Sequence, residues 1–267
     1  MEKNKNGEIK EKIEEKIEEK IEDKKIEKKE KQNKKKLTFK KVFPKVIIIA
    51  GILLIIIPLS IKLYYKLRGN NDIDTFIKEK EKTNRDINKD ELEKDSLYKA
   101  MKQYNENLIK NGQNLISLEM MEKVDFDLRP YGYSKDVVGM IEIPKIGVRL
   151  PLYLGCSIEY MHLGASVISQ TSLPIGGEDT NTVIAGHRGE VDKFLRIEEL
   201  DIGDEIYITN FWQQLTYKVR GFEIIGEDDS NKIYIQPGKE MITLLTCHPY
   251  QVYKERLLVY CDLVKKE

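Results

Sequence analysis

The stretch Glu240–Cys247, EMITLLTC, is rich in apolar and β-branched side chains and is followed by His248 and Pro249. Proline cannot donate to a β-ladder, so the pattern predicts a strand that ends near Cys247. Similar segments recur from residue 137 onward, and Gly, Pro, Asn or Asp separates most of them: MIEIP, VRLPLYL, NTVIAGH, DEIYITN, QLTYKVRGFEII and RLLVYCDL. Short strands at this spacing predict an all-β sandwich or barrel of about 130 residues with one core.

The overall composition limits the classes of protein that the chain can represent. Its 267 residues suffice for one or two domains plus tails. The 45 basic and 45 acidic side chains balance, whereas a nucleic-acid-binding domain is usually strongly basic, so no nucleic-acid partner is expected. Cys156, Cys247 and Cys261 lack the spacing of zinc or iron–sulfur ligands. We therefore expect no metal site and no organic cofactor.

The first 45 residues are dominated by Lys, Glu, Ile and Asn. Isoleucines recur every four residues from Ile9 to Ile21 among lysines and glutamates, and Glu–Lys pairs at this spacing support a helix. The composition predicts a solvated, partly helical tail. A short coiled coil or a partner-binding helix is the alternative.

An apolar run from Val46 to Ile61, VIIIAGILLIIIPLSI, follows this tail. With Lys62 snorkelling and Tyr64 and Tyr65 at the interface, about 20 residues can span a lipid bilayer. Six lysines between residues 34 and 45 predict a cytoplasmic N-terminus and an extracellular remainder. A cleaved signal peptide is the alternative interpretation, but the charged region before the apolar run is too long for one and no A-x-A-like cleavage site follows the run. We therefore expect a single-pass protein of the cell membrane.

The segment between the apolar run and the predicted strands is polar, with apolar residues at helical spacing from Leu92 to Leu108. It is either a helical stalk or a helix that packs on the next domain. The predicted organisation thus has four parts: a charged cytoplasmic tail (1–45), a transmembrane anchor (46–65), a helical stalk that can include a lid (66–134) and a catalytic β-barrel (135–267).

Cys247 is the candidate nucleophile. A cysteine of ordinary pKa, about 8.5, is only a few per cent ionised at neutral pH, so a working site needs a neighbouring base or cation. Side chains alternate along a strand, so His248 would face away from Cys247 unless the strand ends at Cys247, which Pro249 allows. Arg256 opens RLLVYCDL and would lie across from Cys247, as a fixed donor to a carbonyl or oxyanion. His187 ends the run TVIAG at a strand end, where sites often form.

Each of these residues also has an ordinary structural explanation when it is taken alone. Read together, TLLTCHPYQVYKERL and TVIAGHRGE resemble the catalytic blocks of the sortases, which are membrane-anchored cysteine transpeptidases of Gram-positive cell surfaces. The phrases IEIPKIGVRLPLY and QTSLPIGGEDTNTVIAGHRG are most similar to the class C, pilus-building branch. The resemblance covers about residues 137–264.

The resemblance implies an eight-stranded sortase-type β-barrel with short helices. It makes Cys247 the nucleophile, His187 the general acid and base, and Arg256 the donor to the oxyanion or substrate. Thr246 stands where the family has a threonine before the nucleophile, and is expected to bind substrate. The implied reaction cleaves an LPXTG-like sorting signal through a thioacyl enzyme and transfers it to an amine.

The expected partners are surface proteins or pilins that bear the sorting signal, and an acceptor amine. That amine is a pilin lysine in pilus assembly or a cell-wall peptide amine in wall anchoring. The segment VDFDLRPYGYSKD, residues 124–136, departs from the Asp-Pro-aromatic lid of class C relatives, and His248 replaces a small polar residue. Pilus assembly, wall anchoring, hydrolysis and a catalytically silent, membrane-anchored binding module therefore stay open. So do a Cys156–Cys261 disulfide and two free thiols.

Overall fold

The computed structural model describes residues 3–83, 89–113, 124–189, 193–226, 229–249, 252 and 254–267. It contains two compact units, residues 1–62 and residues 63–267. The helices within the described residues are α1 (Lys3–Thr83), α2 (Lys89–Leu92), α3 (Ser96–Asn111) and α4 (Ile158–Leu163).

The second unit is built around a closed β-barrel. Its strands are β1 (Val137–Ile143), β2 (Val148–Leu154), β3 (Ala165–Val167), β4 (Thr180–Gly186), β5 (Glu205–Thr209), β6 (Gln214–Gly226), β7 (Glu240–His248) and β8 (Glu255–Lys266). They close in the order β1-β2-β3-β4-β7-β8-β6-β5. Because the barrel is closed, each strand pairs with a neighbour on both sides and no edge is left open. The prediction of an eight-stranded barrel is confirmed.

Two strand pairs of the barrel are parallel, β2 with β3 and β4 with β7, while the other six are antiparallel. A parallel pair needs a crossover connection between its strands. The β4–β7 pair is the longer of the two, and it brings together segments that are about 60 residues apart, as in the match of Ala185 with Leu245. Both strands therefore run toward the same rim of the barrel.

Alternating side chains divide the apolar residues of β4, β7 and β8 between two faces. Ile184, Leu244 and Val259 belong to the main core inside the barrel, to which all eight strands contribute. The opposite faces of these strands, together with Ile168, Ile225 and Ile233, form a smaller outer cluster: Ile168, Val183, Ala185, Ile225, Ile233, Met241, Leu258 and Tyr260. Because both faces are covered, these strands appear in the sequence as nearly continuous apolar runs.

Helix α1 carries the apolar run of the sequence. Within the described part of the chain, Phe43–Lys82 is the one helical stretch long and apolar enough to cross a membrane. This stretch contains the predicted anchor at 46–65. The N-terminal tail, expected to be partly helical, lies in the same helix from Lys3 onward. The four-part division of the chain stays a prediction.

The end of α1 and the whole of α3 pack on the barrel within the second unit. On α1, Ile73 and Phe76 are buried, and the Asp72 carboxylate accepts hydrogen bonds from the Tyr153 hydroxyl (2.6 Å) and from Lys135. On α3, the buried residues are Leu97, Met101, Asn105 and Leu108. Of the two sequence alternatives for this region, the structure has a helix that packs on the next domain. Residues 114–123 lie outside the described part.

Candidate active site

Cys247 lies one residue before the end of β7, on the outer face of the barrel. Its side chain is partly exposed and follows Leu245, which packs against the outer cluster. The β7–β8 register pairs Cys247 with Arg256. Directly paired residues of antiparallel strands project to the same face, with Cβ atoms about 5 Å apart. Arg256 therefore lies beside Cys247, as the sequence predicted.

His187 follows directly after β4, at the same rim. The last parallel pair of β4 and β7 matches Ala185 with Leu245. His187 and Cys247 are each two residues further along, so they stand at matching positions of this rim. The structure thus brings Cys247, His187 and Arg256 together on one rim of the barrel.

Aromatic rings fix the surroundings of His187. A side chain at Gly186 would collide with the Phe194 ring, so only glycine fits at this position. The Phe194 amide donates a hydrogen bond to the His187 carbonyl at 3.2 Å. The His162 ring of α4 meets the His187 ring edge to face, with centroids 5.5 Å apart, and Tyr65 stacks on His162. The backbone and the ring of His187 are both held by packed neighbours.

Thr246, expected to bind substrate, faces the other way from Cys247. It is 1% exposed, and its hydroxyl donates to the Gly186 carbonyl at 2.8 Å. This bond joins the end of β7 to the end of β4, immediately before the two candidate catalytic residues. The contact shown for Thr246 is therefore one that holds the strand ends together, and its contact with substrate stays a prediction.

A charged cluster with a buried arginine at its centre lies behind Cys247, and sequence reasoning missed it. Arg188 is 3% exposed and donates to the Cys247 carbonyl (2.9 Å), with its Nη1 also 3.1 Å from His248 Nδ1. Glu198 Oε1 lies 2.6 Å from Arg188 Nη2 and 3.0 Å from His248 Nδ1. The Arg188 guanidinium holds the pKa of the Glu198 carboxyl below its usual range. His248 is thus engaged on the face of β7 opposite to Cys247, as strand alternation predicted.

The three cysteines occupy different environments and are all free thiols. Cys261 is fully buried in the main core, where burial raises the pKa of its thiol far above the ordinary value. Cys156 packs against the outer cluster, with its sulfur 4.0 Å from the Ser166 carbonyl. Of the two alternatives for Cys156 and Cys261, the structure has free thiols. In the part of the chain that is described, no three His, Cys, Asp or Glu residues are grouped to hold a metal ion.

The described part of the candidate lid, from Val124 onward, packs on the main core. Leu128 is fully buried, and Phe126 meets Tyr104 edge to face and stacks on Tyr131. Val124 and Phe126 also line a surface groove with Tyr160 of α4. Within the described residues, no hydrogen bond joins this segment to the Cys247 thiol. A lid function for it stays a prediction.

The β4–β7 and β7–β8 registers set a histidine, a cysteine and an arginine at the ends of neighbouring strands of a closed barrel. The family model described as the sortase domain matches residues 141–264. The chain belongs to the sortase family.

Solved structures of class C sortases resemble this chain over most of their length. Clostridium perfringens sortase C, solved with the C-terminal cell wall sorting motif, is 32% identical with a TM-score of 0.56, and the match covers 72% of this chain and 99% of that one. Streptococcus pneumoniae sortase C, in a study of catalysis and pilin substrate specificity, is 29% identical with a TM-score of 0.61, covering 72% and 96%. Among curated proteins, Sortase D of Bacillus subtilis (strain 168) is 32% identical over 112 residues, which cover 42% of this chain and 54% of that protein. The chain thus spans about half the length of this curated relative.

Proposed function

We propose that this protein is a transpeptidase that cleaves an LPXTG-like sorting signal and joins the new carboxyl end to an amine, with a pilin lysine as the acceptor. One observation carries the proposal: Cys247 and Arg256 are paired across β7 and β8, and His187 follows β4 at the matching position. The likeness to a sortase C solved with a sorting motif supports the donor substrate. The likeness to a sortase C studied for pilin specificity supports the acceptor.

In the proposed first half-reaction, the Cys247 sulfur attacks the carbonyl carbon of the Thr–Gly bond. The Arg256 guanidinium keeps its charge at neutral pH and donates hydrogen bonds to the oxyanion that forms. His187 donates a proton to the glycine nitrogen as the C–N bond breaks. The products are a thioester on Cys247 and a free glycine amine.

In the second half-reaction, an acceptor amine attacks the thioester carbon. His187 accepts the proton that the amine loses, the C–S bond breaks, and Cys247 leaves as a thiolate. The result is a new amide bond and the original enzyme. Water in place of the amine would give hydrolysis, so access of the amine to the thioester decides between transfer and cleavage.

We also propose that residues 46–65 anchor the protein in the cell membrane, with the N-terminus in the cytoplasm and the barrel outside. The apolar helical stretch Phe43–Lys82 supports the anchor, and the lysines between residues 34 and 45 support the orientation. The tail at 1–45, the helical segment at 66–134 and the barrel at 135–267 complete this division. An outward barrel would meet substrates that are themselves held at the outer membrane face.

The test uses full-length protein in detergent micelles, an LPXTG peptide and three acceptors: a pilin-like peptide with one lysine, triglycine, and water alone. Mass spectrometry follows the peptide adduct on Cys247 and its products, with Cys247→Ala as the control. Pilus assembly predicts an adduct that the lysine resolves. Resolution only by triglycine would indicate wall anchoring, and resolution only by water would indicate an endopeptidase. If no adduct forms with any sorting-signal variant, either a lid covers Cys247 or the protein is the silent binding module.

A further inference from the structure

The cluster of buried Arg188, half-exposed Glu198 and partly buried His248 joins the two strand ends that carry the candidate nucleophile and base. Arg188 follows His187 directly in the chain, and its Nη1 donates to the carbonyl of Cys247 itself at 2.9 Å. A single guanidinium therefore connects the backbone beside His187 to the backbone of Cys247. We propose that Arg188 is a positioning residue that sets the separation of His187 and Cys247.

The burial and charge of Arg188 support a role for the cluster in holding the two strand ends. Arg188 is 3% exposed, and a charge at this depth needs a partner, which Glu198 supplies at 2.6 Å. Within the described residues, the Arg188 Nε–H is buried without a hydrogen-bond partner. A buried donor without a partner lowers stability, so Arg188 carries an energetic cost at this position. The contact with the Cys247 carbonyl gives Arg188 a different use.

His248 belongs to the network because its Nδ1 lies close to both charged groups. Arg188 Nη1, a donor, lies at 3.1 Å, and Glu198 Oε1, an acceptor, lies at 3.0 Å. The imidazole is therefore in contact with the guanidinium that binds the Cys247 carbonyl and with the carboxylate that pairs with it. Among the described residues, Glu255 is the partner of His248 in the β8 register.

The proposal rests on the proposed function, because it needs His187 to act on Cys247. The experiment therefore measures the thiol directly. Full-length protein in detergent micelles reacts with iodoacetamide from pH 5 to 9, and peptide mapping by mass spectrometry gives the alkylation rate of Cys247 alone. His187→Ala defines the profile of a Cys247 without its base. The melting temperature of each variant is recorded in the same buffer.

Arg188→Gln is expected to move the Cys247 profile toward that of His187→Ala, with about a tenfold change in rate at pH 7, the change that one pH unit of displacement produces. Arg188→Lys keeps the charge but not the fork of donors, and should fall between Arg188→Gln and wild type. With the LPXTG peptide, kcat should fall about 100-fold for a displacement near 1 Å, while KM stays within about threefold. Asp72→Asn is the matched control, since it removes another buried charge and should lower the melting temperature without moving the profile.

If Arg188→Gln fails to fold, Glu198→Gln and His248→Gln test the same network at lower cost, and each should move the profile in the same direction by about threefold. A folded Arg188→Gln whose profile superimposes on wild type, or unmoved profiles in both milder variants, would overturn the inference. If wild type and His187→Ala have identical profiles, the proposed function has failed instead. The two failures are therefore distinct.

Discussion

Asn105 fastens helix α3 to the barrel, and its replacement by alanine should destabilise the protein measurably. The side chain is 5% exposed, its Nδ2 donates to the Leu173 carbonyl at 3.2 Å, and its Oδ1 accepts from the Leu173 amide at 2.7 Å. Leu173 is itself fully buried. Asn105→Ala leaves a buried N–H and a buried C=O without partners, at about 1–3 kcal/mol each. We expect a net loss of about 3 kcal/mol, since the helix gains a few tenths from alanine.

A domain of 150–250 residues loses about 2–4 °C in melting temperature per kcal/mol, so Asn105→Ala should melt about 6–12 °C lower. The matched control is Asn107→Ala, which changes the same residue type on the exposed face of the same helix. The assay is the fluorescence of Trp212, the single tryptophan, which meets Tyr98 of α3 edge to face at 5.2 Å. If the two variants melt within about 1 °C of each other, the hydrogen bonds to Leu173 do not hold α3 in place.

Three further predictions concern individual residues. Ellman's reagent at pH 8 should label Cys247 in the native protein but Cys261 only after denaturation, because the Cys261 thiol is buried and has a raised pKa. Labelling of both thiols at one rate in the native protein would contradict the placement of Cys261 in the core. Glu198→Gln should make the melting temperature fall less steeply as pH is lowered from about 5 to 3. The Glu198 carboxyl has a lowered pKa in the fold, so it stabilises the protein at pH values above its unfolded-state pKa, near 4.3, and loses that contribution as pH falls. A slope equal to that of wild type would refute this prediction. In the peptide transfer assay, His187→Ala should abolish product and His248→Ala should only reduce it, and the reverse order would reject His187 as the base.

The strands around the candidate site could be predicted because their sequence pattern is local. EMITLLTC is followed by His248 and Pro249, and RLLVYCDL begins with Arg256, so the pairing of Cys247 with Arg256 follows once the two segments form a hairpin. Strand alternation also separates His248 from Cys247. These inferences need only period-two alternation and a turn.

The charged cluster could not be predicted because its members meet only in the folded barrel. Glu198 lies in the 3₁₀ segment Phe194–Glu199, and His248 is 60 positions beyond Arg188. No spacing in the sequence marks them as neighbours. The sequence does not decide how α3 docks, for a related reason: its apolar stripe suits a stalk or a packed helix equally well. The buried contact that distinguishes the two is made by Asn105, a polar residue within the stripe, and an analysis of apolar spacing gives such a residue no weight.

The parallel pairing of β4 with β7 also affects when the protein can become active as it folds. The pairing joins segments about 60 residues apart, whereas β7 and β8 pair Cys247 with Arg256 across about ten residues. Closing the longer loop costs more chain entropy, and contacts of this kind slow folding. The hairpin that holds Cys247 beside Arg256 therefore needs only local contacts, while the position of His187 depends on the long-range pair.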